Sequence, residues 1–253
     1  MIVYGINPVL EALKVGRVTS VWMAQGANPR LQQVADLARQ KGVAVRSRDG
    51  QSLDRLAEGG VHQGVVAELR DAGPLSVEDL VRGAQQRGGA PPLIVVLDGI
   101  EDPHNVGAIL RTADAAGVDG VIRQSRRAAP LGGVVAKASA GAVAHVKVAD
   151  VVNIARAVEE LKEAGVWTIG LAGDADKRYD EIDFTLPSAL VLGAEGDGLR
   201  RLVRERCDWL VSIPMLGQVD SLNVSVATGI VLFEGVRQRR RAGNPRPSAS
   251  VRE

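Results

Sequence analysis

Five residues have types and settings that could do chemistry: Asn105, Arg111, Glu195, Ser221 and Asn223. They fall in three segments, Asp102-Pro-His-Asn-Val-Gly-Ala-Ile-Leu-Arg111, Leu192-Gly-Ala-Glu-Gly-Asp-Gly198 and Ser221-Leu-Asn-Val-Ser-Val-Ala-Thr-Gly229. Each sets polar residues or glycines beside an apolar run, where a strand meets a loop or a helix begins. Folds of the α/β class place ligand sites at such junctions. A guanidinium there can clamp a phosphate or face a reacting ribose. With a pKa above ~12 it is a poor base, so its contribution would be chiefly electrostatic.

Each of these residues also has a plain structural use. Asn105 is a good N-cap for a helix starting near it. Arg111 suits an i,i+3 ion pair with Asp114, a contribution of only ~0.3 kcal/mol. Glu195 can order its loop through backbone N–H groups or hold a substrate or cofactor hydroxyl. Glycines 193, 196 and 198 allow main chain to approach a ligand or take positive φ. Their Gly-x-x-Gly-x-Gly order is not the dinucleotide fingerprint, and it comes late in the chain. Ser221 is placed to cap the last helix, which leaves Asn223 less easily explained. There is no Gly-x-Ser-x-Gly elbow, no Walker loop and no histidine near Ser221 in sequence, so nucleophilic hydrolysis and phosphate-loop chemistry find no support.

The elements that must position these residues alternate along the chain. In residues 1–70, helical patterns at Pro8–Lys14 and Arg30–Lys41 alternate with strand signals at Val18–Met23, Val43–Val45 and Gly64–Leu69. Residues 71–92 read as a connector rich in Gly and Pro, with room for a helix over Ser76–Gln86 capped by Ser76. From Leu93 strands and helices alternate again. Strands are expected at Leu93–Leu97, Gly120–Ile122, Val143–Val148, Trp167–Leu171, Ala189–Leu192 and Trp209–Ile213. Helices are expected from about Asn105, over Val152–Glu163, near Leu199–Arg206 and over Leu222–Arg237, the last burying Val226, Gly229, Ile230 and Phe233. This alternation predicts an α/β fold with a mostly parallel sheet covered by helices on both faces. Arg126–Ala140 is left as a basic loop.

Composition sets the outer bounds. The chain has 253 residues, 45% hydrophobic and 3% aromatic, enough for one large or two modest aliphatic cores. One cysteine, Cys207, excludes an intrachain disulfide and reads as a buried or half-buried thiol. The three histidines are scattered, so no metal site is expected. No apolar stretch spans a bilayer and the start lacks the pattern of a secretory signal, which predicts a cytoplasmic protein with no membrane role. From Arg237 on, six arginines face one glutamate, a charge of +5, leaving −4 elsewhere in a chain of net charge +1. Residues 241–253 are expected to form a basic, disordered tail suited to phosphate contacts.

Taken together, the three segments resemble the three signature motifs of SpoU-type (TrmH) RNA 2′-O-ribose methyltransferases, over residues 93–240. Residues 1–70, from Tyr4-Gly-Ile-Asn-Pro-Val to Val61-His-Gln-Gly-Val-Val, resemble the ribosomal-protein-like RNA substrate-binding domain often joined to them. Pro103-His-Asn-Val-Gly and the third segment are similar to the bacterial subgroup that modifies a guanosine of 23S ribosomal RNA. The resemblance implies a deep trefoil knot, a homodimer, a ribosomal RNA partner and S-adenosylmethionine (SAM) as cofactor. It implies a cofactor pocket from Leu171, Gly193, Gly196, Ile213, Met215 and Leu222. It implies catalysis centred on Arg111 and oriented by Asn105, Glu195, Ser221 and Asn223, with Asn7, Arg30 and Arg111 on the RNA. The rival expectations are the same reaction on transfer RNA and a non-catalytic ribosome-assembly factor that binds RNA.

Overall fold

The computed structural model describes residues 1–243 except 27, 72 and 127; residues 244–253 of the expected tail lie outside the described residues. In chain order the elements begin with β1 (Ile2–Tyr4), α1 (Ile6–Lys14), β2 (Val18–Ala24), α2 (Pro29–Gln40), β3 (Ala44–Arg48), α3 (Gly50–Leu56) and β4 (Val65–Leu69). There follow α4 (Val77–Arg87), β5 (Leu93–Asp98), α5 (Pro103–Ala115), β6 (Gly120–Gln124), α6 (Gly133–Ala138) and β7 (Val148–Val151). The last are α7 (Ile154–Glu163), β8 (Trp167–Leu171), β9 (Ser188–Gly193), α8 (Arg201–Arg206), β10 (Trp209–Val211) and α9 (Val224–Arg241).

These elements divide between two compact units. One comprises Met1–Gly73, Asp102–Arg111 and Ala129–Val146; the other comprises Pro74–Glu101, Thr112–Ala128 and the chain from Lys147 onward.

The first unit is built on a four-stranded sheet of order β1-β4-β2-β3. Strand β4 runs antiparallel to β1 and β2, while β2 and β3 are parallel. Tyr4, Leu53, Ala57 and Val66 bury against one another, with Trp22 at their margin. Helix α6 packs beside β1. Its Val135 and Ala136 are buried, so the stretch 126–140 is not simply a loop. Only six residues long, α6 offers too little periodicity to be read from sequence.

The second unit is built on a six-stranded sheet, β10-β8-β9-β5-β6-β7, in which neighbouring strands run parallel. Strand β5, Leu-Ile-Val-Val-Leu-Asp, is buried at every position, which explains its unbroken apolar run. Ile94, Val96, Ala189 and Val191 point into a core completed by α4, α7 and α8. Helix α4 occupies the stretch expected as a connector. A capping box starts it: the Ser76 hydroxyl accepts from the Asp79 amide at 3.0 Å and the Asp79 carboxylate from the Ser76 amide at 3.2 Å. The strand expected at 143–148 instead begins at Val148, after a 3-10 turn over Ala142–Ala144.

Helix α9 buries Val224, Ala227, Val231, Leu232 and Gly235. The stripe expected to be buried is not: Val226 is 52% and Phe233 49% exposed. Both sides of this helix are apolar, and period alone cannot say which one meets the sheet. Its basic end is also partly structural. Arg239 is buried and donates to the carbonyls of Phe184, Pro91, Pro92 and Leu186 at 2.6–3.1 Å.

Candidate active site

In the second unit the carboxyl ends of β10, β8 and β9 lie side by side. Val211 is opposite Leu171, and Gly170 is opposite Val191. This brings Leu171, Gly193 and, two residues beyond β10, Ile213 to one edge of the sheet. A tight loop caps that edge: Ala194 and Gly198 exchange backbone hydrogen bonds of 3.1 and 2.9 Å. A Cβ on Gly193 would lie 2.1 Å from the Gly198 carbonyl carbon and 2.3 Å from the Leu199 nitrogen, so only glycine lets the loop fold back here. Gly196, at φ +82°, has nothing within 4 Å of a built Cβ. It is needed for its backbone conformation, not for close packing.

Asn223, not Ser221, caps α9. The side-chain Oδ1 of Asn223 accepts from the Ser225 amide at 2.9 Å and from the Ser225 hydroxyl at 2.5 Å. Its amide nitrogen donates to Glu195 Oε1 at 2.8 Å, so one asparagine starts the last helix and ties down the glycine loop. Ser221 is exposed and bonds its neighbour Asp220 at 3.1 Å. Ile213 and Met215 are half-buried, Leu222 is 38% exposed, and no regular element spans 214–223.

The sequence reading missed the group that anchors this edge. Asp98, fully buried at the end of β5, accepts from the Arg200 amide at 2.8 Å and Nε at 2.6 Å, and also pairs with its NH2 group. A carboxylate closing an apolar strand was the available signal. Nearby, burial pushes the Cys207 thiol up to about 12.

Asn105 and Arg111 both lie on α5. The helix starts at Pro103, and Asp102 serves its free amides, accepting from His104 at 3.1 Å and Asn105 at 3.3 Å. Asp-Pro is the stronger start signal, since proline suits the first turn, so Asn105 sits buried inside that turn and is not the cap. Arg111 is exposed, and its guanidinium makes no ion pair or hydrogen bond among the described residues, so an i,i+3 pair does not account for it. In the first unit, Asn7 and Arg30 meet: Arg30 NH2 donates to Asn7 Oδ1 at 2.7 Å, joining the starts of α1 and α2. Among the described residues no group of His, Cys, Asp and Glu is placed to hold a metal ion, and no helix is long and apolar enough to cross a membrane.

Two family models match the chain. Residues 92–233 match the SpoU rRNA methylase family, and residues 2–74 match the RNA 2′-O-ribose methyltransferase substrate-binding domain. The chain belongs to the SpoU rRNA methylase family.

Among the relatives of this SpoU chain is the 23S rRNA (guanosine-2′-O-)-methyltransferase RlmB of Pseudomonas putida, 46% identical over 94% of this chain and 96% of that one. A Bacillus subtilis relative, 42% identical over 95% of this chain and 97% of its own, is named for tRNA/rRNA methylation in the TrmH family. The crystal structure of the SpoU methyltransferase AviRb from Streptomyces viridochromogenes superposes with a TM-score of 0.79 at 25% identity, covering 96% of this chain and 90% of that one. An AdoMet-bound rRNA methyltransferase from Sinorhizobium meliloti gives 0.75 at 28% identity, covering 95% and 87%.

Proposed function

We propose that this SpoU protein transfers a methyl group from SAM to the ribose 2′-hydroxyl of a guanosine in 23S ribosomal RNA. The observation that carries the reading is near-end-to-end similarity to RlmB proteins, 46% identical in the Pseudomonas putida case. The residues fit the cofactor. The strand-end edge offers main chain that no side chain covers at Gly196, and apolar side chains at Leu171, Ile213, Met215 and Leu222. Such a lining suits a flat adenine and a thioether-like chain, with main-chain groups meeting the polar atoms. When bound, SAM would supply an electrophilic methyl group. Arg111, whose guanidinium has no partner among the described residues, stabilises the negative charge that develops on the 2′-oxygen as its proton passes to solvent or to the RNA phosphate, and holds that phosphate. Asn223 and Glu195, already bonded to each other, fix the loop over the cofactor. Asn105 and Ser221 orient the ribose.

Residues 1–70 are proposed as the substrate-binding domain, with Asn7 and Arg30 on the RNA, and 93–240 as the catalytic domain. The family-model spans 2–74 and 92–233 support this division. The deep trefoil knot is proposed on the family resemblance and on the strand order, in which the last strand, β10, returns beside β8. A homodimer is proposed because α9 exposes Val226 and Phe233, with Ile230 half-buried between them, an apolar surface suited to a second copy; a cytoplasmic location is proposed from the 23S rRNA named for the RlmB relatives.

The test is transfer of labelled methyl from SAM to deproteinised 23S rRNA and to total tRNA, followed by nucleoside analysis. The proposal expects 2′-O-methylguanosine in 23S rRNA. Product in tRNA alone would favour the reading that the Bacillus subtilis relative's name allows.

A further inference from the structure

The first unit has an open surface cleft of about 410 Å³ where β2 and β3 end, lined by Ala24, Gln25, Ser47, Arg48, Asp49 and Gly50, all exposed but Ala24. The two strands are parallel, with Ala24 opposite Arg48, and ligand sites of open sheets lie beyond such carboxyl ends. The volume is within the range of small-ligand clefts, a few hundred Å³.

Its polar lining is mixed in a selective way. Arg48 is exposed and makes no ion pair among the described residues. Beside it, Asp49 accepts from the Ser52 amide at 2.9 Å and the Ser52 hydroxyl at 2.8 Å. These bonds hold the Asp49 carboxyl below the usual range, so it is an anion at neutral pH. A hollow made for phosphate would not carry a carboxylate on its rim. A base edge needs both signs. Guanine presents O6 and N7 as acceptors and N2–H as a donor. Unstacked bases of RNA are read on these edges. Gln25 can both donate and accept. In the same unit Arg30, joined to Asn7, is an exposed cation suited to a backbone phosphate of the same RNA.

We propose that this cleft receives one unstacked guanine of the substrate RNA, Arg48 donating to its acceptor edge and Asp49 accepting from its donor edge. The inference rests on the RNA methyltransferase reading above and names a base-reading site within it.

The experiment uses the full chain. Affinity for 23S rRNA is measured for wild type, Arg48→Ala and Asp49→Asn; the asparagine keeps an acceptor for the Ser52 amide and removes the charge. Each variant should bind about tenfold or more weakly, as for the loss of a bidentate base contact, with SAM affinity and melting temperature unchanged. In parallel, amide resonances are followed during addition of GMP, AMP or inorganic phosphate. GMP alone should shift residues 25 and 47–50. Unchanged rRNA affinity in folded Arg48→Ala overturns the proposal, as do equal shifts from GMP and phosphate. GMP binding is read without methyl transfer, so its failure is distinguishable from failure of the catalytic reading.

Discussion

Replacing Gly193 by alanine should cost SAM affinity far more than replacing Gly196, although both glycines share one loop. A Cβ at 193 would stand 2.1 Å from Gly198 C, 2.3 Å from Gly198 O and 2.3 Å from Leu199 N. All three are backbone atoms and none can rotate away. To reach an ordinary contact the loop must retreat by roughly 1 Å, which breaks the paired bonds between Ala194 and Gly198. Two such bonds are together worth about 2 kcal/mol net. That displacement also carries Glu195 away from Asn223. Gly196→Ala meets open space and bears only the strain of φ +82°, about 1–2 kcal/mol. Isothermal calorimetry should show Gly193→Ala weakening SAM binding at least about tenfold, taking 1.4 kcal/mol per decade. The strain at Gly196 is present with and without cofactor and so lowers stability, not affinity; Gly196→Ala should bind SAM within about threefold of wild type, a difference under ~0.7 kcal/mol. Equal affinities for Gly193→Ala and wild type, with both folded, would refute a cofactor pocket at this strand end.

The helix cap gives a second test: Asn223→Ala should lower the melting temperature by about 3 °C, for ~1 kcal/mol of lost capping in a protein of this size, while Ser221→Ala leaves it unchanged. Phe233→Glu should convert a dimer to monomers in light scattering, because it places a charge on the uncovered apolar side of α9; an unchanged dimer would locate the interface elsewhere. Cys207 should resist alkylation in the native state. Its folded value of about 12 lies above the unperturbed ~8.5, so between those values the folded protein keeps a proton that the unfolded chain has released. Stability contributed by this site therefore falls as pH rises through that window, and iodoacetamide at pH 8.5 should label native protein at least about a hundredfold more slowly than denatured protein.

The strands of the parallel sheet were legible because burial on both faces writes itself as an apolar run, as in β5. The residues proposed to bear chemistry stand out by type and by segments that resemble the SpoU motifs. Their local roles were less legible. Sequence assigned capping to Asn105 and Ser221, but a carboxylate before proline out-competes Asn105 at α5 and the chain enters α9 two residues later than expected, at Asn223. Gly193 and Gly196 are indistinguishable on paper, since only the folded loop shows which one another backbone touches. The Asp98–Arg200 anchor joins residues 102 apart in sequence, beyond any local pattern. The two faces of α9 have similar apolar content, so the sheet decides which is buried.

The most direct test of the account is single-turnover methylation of 23S rRNA at saturating SAM, comparing wild type with Arg111→Ala. Arg111 is exposed and holds no partner among the described residues, so its removal should leave the melting temperature and SAM affinity unchanged. Loss of a charge that stabilises the transition state should slow formation of 2′-O-methylguanosine about a hundredfold, roughly 3 kcal/mol. Arg111→Lys should recover only part of that rate, because lysine lacks the planar fork. A wild-type rate from Arg111→Ala would contradict the assignment of Arg111 as the residue that drives transfer to the ribose hydroxyl.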